Sequence, residues 1–304
     1  MAAKKKQFAD TAAKRGYSIR IYLPDGTADG LKIVEKSNWS GRGVVCPRAL
    51  FAESKSRAEF SQTGIYILIG PSDSIDVPMI YVGQGDPVRR RLEDHQSKKD
   101  FWTKAVFFVS NGENLNKAHI GHLESRLIKM AKEANRASLD NQNEPALPSL
   151  SEMDVADAEG FLDEILLCLP VLGVNVYNKP EKTGDQRGKL FLKGKDASAE
   201  GCETPEGFLV FSGAKARIRE TPSIHKYMAD LRENLTERKL LEQDGKQLRL
   251  TQDYSFSSPS TAAAVIMGRN ANGRIEWKDS NGKPLRALLK TGDLRELAQL
   301  ARFC

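Results

Sequence analysis

Between Thr63 and Asn135 the chain passes through three short β-type runs and two helical ones, in an order that only a mixed α+β layer can satisfy. TGIYILIG (63–70) is almost wholly apolar and stops at Gly70-Pro71. A run this short with that stop reads as a buried strand. PMIYVGQG (78–85) is a second strand and AVFFVS (105–110) a third. After the second, Asp86 stands where a helix cap belongs, Pro87 fits a first helical position, and VRRRLEDHQSKK has helical composition. In LNKAHIGHLESRLIKMAKEAN, Ile120, Leu123, Leu127, Met130, Ala131 and Ala134 form one apolar stripe at helical spacing.

The flanks differ from this nucleus. Residues 1–60 read as a small β-rich module, with YSIRIYLPDG as its first strand and a charged helical stretch from Ala52 to Phe60 at its end. The middle unit, 61–178, continues through the polar NQNEPALPSLSE into an amphipathic helix from Asp154 to Leu169, expected to end at Pro170. Residues 179–189 are the best linker candidate. Residues 190–304 read as an α+β accessory module. Its expected elements are strands KLFLKG and GFLVFSG and a helix over TPSIHKYMADLRENLTERKLLEQ with Thr221 as cap and Pro222 in its first turn. A short helix, SPSTAAAVIMG, has Ser258 as cap, Pro259 in its first turn and Gly268 past its end, and turns at Asn272-Gly273 and Asn281-Gly282 flank RIEWKD.

Composition narrows the class. With 304 residues, 40% hydrophobic and 28% charged, the chain is neither disordered nor membranous and is long enough for more than one core. The most apolar stretch, FLDEILLCLPVLGV, carries Asp163, Glu164 and Pro170 and does not suit a bilayer. No apolar run follows the basic MAAKKKQFAD, as a secretory signal would require. Cys46, Cys168, Cys202 and Cys304 are scattered, which fits the reducing cytoplasm better than a disulfide framework or zinc ribbon. The net charge of +6 is uneven: +6 over residues 1–60, −5 over 61–180 and +5 over 181–304. An acidic middle between basic flanks is compatible with polyanion binding at the flanks and equally with ordinary surface solvation.

Two familiar signatures fail. GQGDPV lacks the third glycine of a dinucleotide loop, and no GK[ST] follows any glycine run. His119 and His122, three residues apart, lack the spacing of a zincin pair, so surface or packing roles fit them better. What remains is a set of polar residues on the strand–strand–helix nucleus: Tyr66 in Gly64-Ile65-Tyr66, Tyr81 in Tyr81-Val82-Gly83, Arg91 and His95 four apart on one helix, Glu124 beside the long helix's apolar stripe, and Asn141 after it. Each alone has an ordinary packing or solvation role.

In this order and spacing, residues 64–141 resemble the GIY-YIG nuclease family, with YVG in place of YIG and a slightly long connection, SDSIDVP, between the tyrosine motifs. The resemblance implies a small three-stranded antiparallel sheet flanked by helices, in a bacterial, metal-dependent endonuclease hydrolysing phosphodiester bonds in DNA. It implies one divalent ion, Mg²⁺ or Mn²⁺, held by Glu124 alone, a choice consistent with a hard cation and a lone carboxylate. Arg91 would neutralise the scissile phosphate, Tyr81 and His95 would assist by hydrogen bonding and proton relay, and Asn141, with Asn135 and Asn143 close by, would brace the site. Tyr66 would act as the base or orient the water; which of Tyr66, Tyr81 and His95 takes the proton stays open. A non-catalytic nucleic-acid-binding protein, or the same chemistry on RNA or branched DNA, are the alternatives.

FSSPSTAAAVIMGRNANGRIEWKDSNGKPL is similar to a domain of unknown function common at the C-terminus of bacterial GIY-YIG proteins. That domain looks like modules accompanying restriction enzymes, which implies DNA binding and, by analogy, restriction or phage defence. Arg269, Arg274, Lys278 and Lys283 around Trp277 would make a basic surface with an aromatic platform. Trp277 as a core residue of a small hairpin is the equal alternative.

Overall fold

The computed structural model describes residues 16–72, 77–112, 115–177, 188–204 and 207–289. The Lys4–Lys6 tail, Cys304 and the expected linker, save Gly188 and Lys189, lie outside them. The chain divides into two compact units, one of residues 1–71 with 79–177 and one carried by 178–304. Both are mixed α and β, each with a seven-stranded sheet. Among the described residues no helix is long and apolar enough to cross a membrane.

The first unit opens with β1 (Ile19–Tyr22), β2 (Lys32–Lys36) and β3 (Gly41–Pro47), followed by the single-turn α1 (Phe51–Ser54) and a 3-10 turn at Ala58–Ser61. Then come β4 (Gly64–Gly70), β5 (Met79–Gly85), α2 (Val88–Lys98), β6 (Lys104–Ser110), α3 (Lys117–Ala134), the two-residue β7 (Ser138–Leu139) and α4 (Glu152–Val171). The strand order is β1-β2-β3-β6-β4-β5-β7. The expected three-stranded sheet is therefore part of a larger one: β6-β4-β5 are antiparallel neighbours, and the N-terminal strands extend them. The reason is in β3, GRGVVCP, where Val44, Val45 and Cys46 are all buried. A strand apolar on both faces needs cover on both, and β3 finds its place by pairing with β6 from Gly41↔Ser110 to Pro47↔Lys104.

Alternation sorts the side chains of this sheet into two cores. Ile65, Ile67, Ile80, Val82 and Phe108 face α3 and α4, whose Leu123, Leu127, Leu162 and Ile165 complete one cluster. Tyr66, Leu68, Phe107 and Val109 face the other way, onto Val88 and Leu92 of α2, Trp102, Phe51 and Phe60. His119 and His122 join α3 to α4: their Nε2 atoms lie 3.3 Å from Asp154 Oδ1 and 2.6 Å from Glu159 Oε1, and Arg126 also binds Glu159. Two helix ends depart from expectation. Asp86 does not cap α2; its carboxylate accepts from the Thr63 hydroxyl at 2.7 Å, and Pro87 occupies the cap position in extended conformation. Pro170 lies inside the last turn of α4, which runs one residue beyond it.

The second unit comprises β8 (Leu190–Gly194), β9 (Ala197–Thr204), β10 (Gly207–Val210), β11 (Lys215–Arg217), α5 (Lys226–Glu237), β12 (Leu241–Asp244), β13 (Gln247–Leu250), β14 (Tyr254–Phe256), α6 (Pro259–Met267), and the single-turn α7 (Gly273–Glu276) and α8 (Leu285–Leu288). Its sheet runs β12-β13-β11-β9-β10-β14, with β8 also on β9. The all-apolar α6 is buried against it, and Ser258 Oγ caps the helix by accepting from Thr261 N at 3.1 Å. The long helix expected from Thr221 is shorter at both ends. It begins after His225, and Leu240–Gln243, read as its last turn, belong instead to β12 and its approach. Lys239, at φ +56, ends the helix and turns the chain back.

Candidate active site

The six polar residues singled out above lie around the bare edge of β5. That edge exists because β7 pairs only with Met79 and Ile80, leaving Tyr81–Gly85 without a neighbouring strand on the side away from β4. In its place stands Asn141, whose Oδ1 accepts from Val82 N at 2.9 Å and whose Nδ2 donates to Val82 O at 2.8 Å. One side-chain amide thus supplies what a strand would and fixes the backbone between Tyr81 and Gly83. Its neighbour Asn135 is instead the left-handed C-cap of α3.

On the α2 side, Tyr66 of β4 lies opposite Gly83 of β5. A Cβ at Gly83 would stand 2.3 Å from Tyr66 Oη. The glycine of the second tyrosine motif is therefore the space that the first motif's hydroxyl occupies. Gly85, two residues on and on the same face, repeats the device: a Cβ there would lie 3.2 Å from Arg91 Cγ and 2.7 Å from Val88 Cα. Two missing side chains let α2 approach the strand closely enough to bring its polar groups to the edge.

Val88, Leu92 and His95 form the inward stripe of α2, so His95 takes a core position and is only 6% exposed. Its Nε2 is 2.8 Å from Tyr66 Oη. Its Nδ1 is buried and has no hydrogen-bond partner. Burial first, then the positive charges of Arg91 and Lys99, push the imidazole down to about 4, so it is neutral at physiological pH. Burial also raises the Tyr66 phenol well above its usual range, with the Arg91 guanidinium pulling the other way. Tyr66 is fully buried and remains protonated near neutrality. Tyr81 is half-buried, with its ring 6.3 Å from that of Tyr66 and 4.8 Å from that of His95. Arg91 points outward, its side chain 46% exposed, with Asp94 at 3.9 Å.

From the opposite face α3 contributes Glu124. Burial raises its carboxyl above the ordinary carboxylate value, opposed by a hydrogen bond from Gln84 and by the charge of Arg91. Gln84 Nε2 donates to Glu124 Oε2 at 2.9 Å. The charges of Arg91 and Glu124 both act on the Tyr66 phenol, although the two residues come from opposite faces of the sheet. Among the described residues no group of three His, Cys, Asp or Glu could hold a metal ion. Glu124 offers one half-buried carboxylate, which suits a hard cation only if water and substrate oxygens complete its shell.

Gln84 and Lys99 escape a motif-based reading. Gln84 is the one polar side chain on a face of β5 otherwise made of Ile80 and Val82, which is a legible signal. Lys99, just past α2, sits with its Nζ 4.4 Å from the Tyr81 ring centroid and is ion-paired with Asp140, next to Asn141. Nothing in its sequence context marks it. Elsewhere the described cysteines are buried and in no disulfide, and burial pushes the thiols of Cys46 and Cys168 up to about 12 and about 11, unsuited to nucleophilic roles.

Residues 190–289 match a family model described as a domain of unknown function, DUF4357. That is the module read from the sequence as an uncharacterised C-terminal domain. The match does not extend to residues 64–141, where the GIY-YIG resemblance rests on the motif residues themselves. No curated protein and no solved structure is significantly similar to the chain.

Within the DUF4357 segment the aromatic platform expected at Trp277 is absent. Trp277 is fully buried, packs on Phe208 with ring centroids 4.5 Å apart, and donates from Nε1 to Pro259 O at 3.0 Å. Asn272 caps α7 just before it, where a hairpin turn was expected. Arg269 is ion-paired with Glu276 at 2.7 Å.

Proposed function

We propose that the edge of β5 is a phosphodiesterase site of the GIY-YIG type, acting on DNA with Mg²⁺ or Mn²⁺ held by Glu124. The observation that carries this reading is the convergence, from one strand and from helices on two faces of its sheet, of a buried Tyr66–His95 pair, an exposed Arg91 and a half-buried Glu124. Packing alone does not call for a neutral histidine with one nitrogen left bare.

In this reading Arg91, whose side chain reaches both Tyr66 and solvent, grips two oxygens of the scissile phosphate. His95 is the proton acceptor, reached through Tyr66. With its own proton on Nδ1, Nε2 accepts the phenolic proton as Tyr66 Oη takes one from the attacking water. The water oxygen then bonds to phosphorus while the bond to the leaving sugar oxygen breaks. A phenol whose pKa lies above its ordinary ~10 is scarcely ionised at neutral pH, so no free tyrosinate stands ready as the base. When bound, the cation supplies charge neutralisation and acidifies water at the phosphate. Gln84 holds Glu124 in position, Lys99 and Tyr81 close one side of His95, and Asn141 keeps the strand edge from shifting. A part in restriction or phage defence fits the accessory module by analogy.

The test is cleavage of supercoiled plasmid, with single-stranded, branched and RNA oligonucleotides alongside, in Mg²⁺ or Mn²⁺ with EDTA as control. Metal-dependent nicking that drops at least about a thousandfold in Glu124→Ala and in Tyr66→Phe, both folded by circular dichroism, is expected. Salt-sensitive binding of every substrate without cleavage would replace the nuclease by a recognition protein.

A further inference from the structure

The basic character of the second unit gathers on a surface other than the one its tryptophan suggested. Directly paired residues on neighbouring strands point to the same side of a sheet. Register therefore sets Lys193 of β8, Ser198 of β9, Lys215 of β11 and Arg249 of β13 in one row across four strands. All four are exposed. Lys215 and Arg249 are immediate cross-strand partners, and Glu242 of β12 stands on the other side of Arg249 at the end of the row. Arg249 has Asp244 at 3.6 Å, whereas Lys193 and Lys215 form no ion pair among the described residues.

The adjoining row holds aromatic rings. Phe191, two residues before Lys193 on the same face, is paired with Glu200, whose carbonyl accepts from Phe211 N at 2.9 Å. Both phenylalanines are partly exposed, although Leu190 and Leu192 beside them are buried. Concavities of about 380 and 320 Å³ flank Phe191; the first is also lined by Lys193 and Lys278, the second by Lys193 and Phe211. The acids near them are engaged: Glu200 with Lys189, Glu276 with Arg269, and Asp279 with backbone amides of Asn281 and Lys283.

We propose that this outer sheet face of the DUF4357 segment binds single-stranded nucleic acid, with bases stacked on Phe191 and Phe211 and phosphates over Lys193, Lys215, Arg249 and Lys278. A row of cations beside partly exposed rings, one of them with the Lys189 Nζ 5.5 Å over it, suits a chain whose bases are free to splay. In a duplex the bases are stacked on one another and offer no π-face to a flat sheet. The inference does not depend on the nuclease reading, and its test is made without cleavage.

The experiment uses the full chain carrying Glu124→Ala, in EDTA, with a fluorescein-labelled 20-mer of oligo-dT and a blunt duplex of the same length. Anisotropy titrations at several salt concentrations should show the single strand bound more tightly. Lys193→Gln with Lys215→Gln should weaken it by roughly tenfold or more and lower the salt slope by about 1.4, two contacts' worth. Phe191→Leu, which keeps an apolar side chain, should cost at least about fivefold with the slope unchanged. Lys226→Gln on α5, paired with Asp230, should leave binding as it was. No binding, indifference to the lysine pair, or equal duplex affinity untouched by Phe191→Leu would overturn the proposal.

Discussion

Both units bury strongly polar side chains, and two of them, Arg232 and His95, are treated in opposite ways. Arg232 in α5, 2% exposed, has its guanidinium engaged on every side: Nε donates to Glu220 at 2.8 Å, Nη1 to the Val265 carbonyl, and Nη2 to the carbonyls of Arg217 and Ile218. It ties α5 to α6 and to the chain leaving β11. His95, nearly as buried, has a single side-chain partner and a bare Nδ1. A fully satisfied buried charge is a structural fastening, since nothing is left over for a ligand. A half-satisfied neutral imidazole beside an open strand edge has capacity to spare, and that is where chemistry can be placed.

The largest effect that would break this contrast is at Arg232. Replacing it with Met strands Glu220 and three carbonyls, and should cost about 3–5 kcal/mol of stability in urea unfolding. His95→Gln should change stability by about 1 kcal/mol or less at neutral pH, while slowing cleavage by roughly 10²- to 10⁴-fold. If the two variants behaved alike in stability, the distinction between fastening and site would fail. A smaller effect is expected at Asn141. Asn141→Ala leaves the N–H and C=O of Val82 without partners and should cost about 1–3 kcal/mol. Because it acts by positioning, kcat should fall with KM little changed. A variant that lost stability but kept full kcat would reduce Asn141 to a strand clip.

How much of this was legible varies between the units for physical reasons. In the first, β4, β5, β6, α2 and α3 follow from strong apolar periodicity, and the order of polar residues along them named the groups that converge. Hidden was the device that lets them converge: the space at Gly83 and Gly85 is set by which residues lie opposite, and that is a matter of register. In the second unit, β9 (ASAEGCET) was missed because its inward residues, Ala197, Ala199 and Gly201, are too small to give an apolar signal. Leu240–Gln243 has good helical propensity and continues a helical pattern, yet pairing with β13 and the left-handed Lys239 override it. Trp277 sits amid four cations in sequence, and only packing reveals that its indole turns inward while the charge gathers on another face.

The finest test of the contrast uses pH. The unfolded chain titrates His95 near its ordinary 6.5, whereas burial lowers the folded value to about 4. Between those limits the unfolded state binds a proton that the folded state refuses, so stability falls as pH drops from about 6.5 to about 4 and levels off below. Glu124, raised by burial, acts in the opposite sense: the folded state holds its proton longer, and its contribution declines as pH rises above the ordinary carboxylate value. Asp154 and Glu159 are held low by their partners, and their loss in acid is common to wild type and variant. Subtracting the urea midpoints of His95→Gln from those of the wild type across pH 4–7 therefore isolates one group. The wild type should lose about 1–3 kcal/mol more than the variant over that range. Parallel curves would mean that His95 is as well solvated in the folded protein as in the unfolded chain. It would then be no neutral acceptor held behind Tyr66, and the relay would have to give way to a base drawn from solvent.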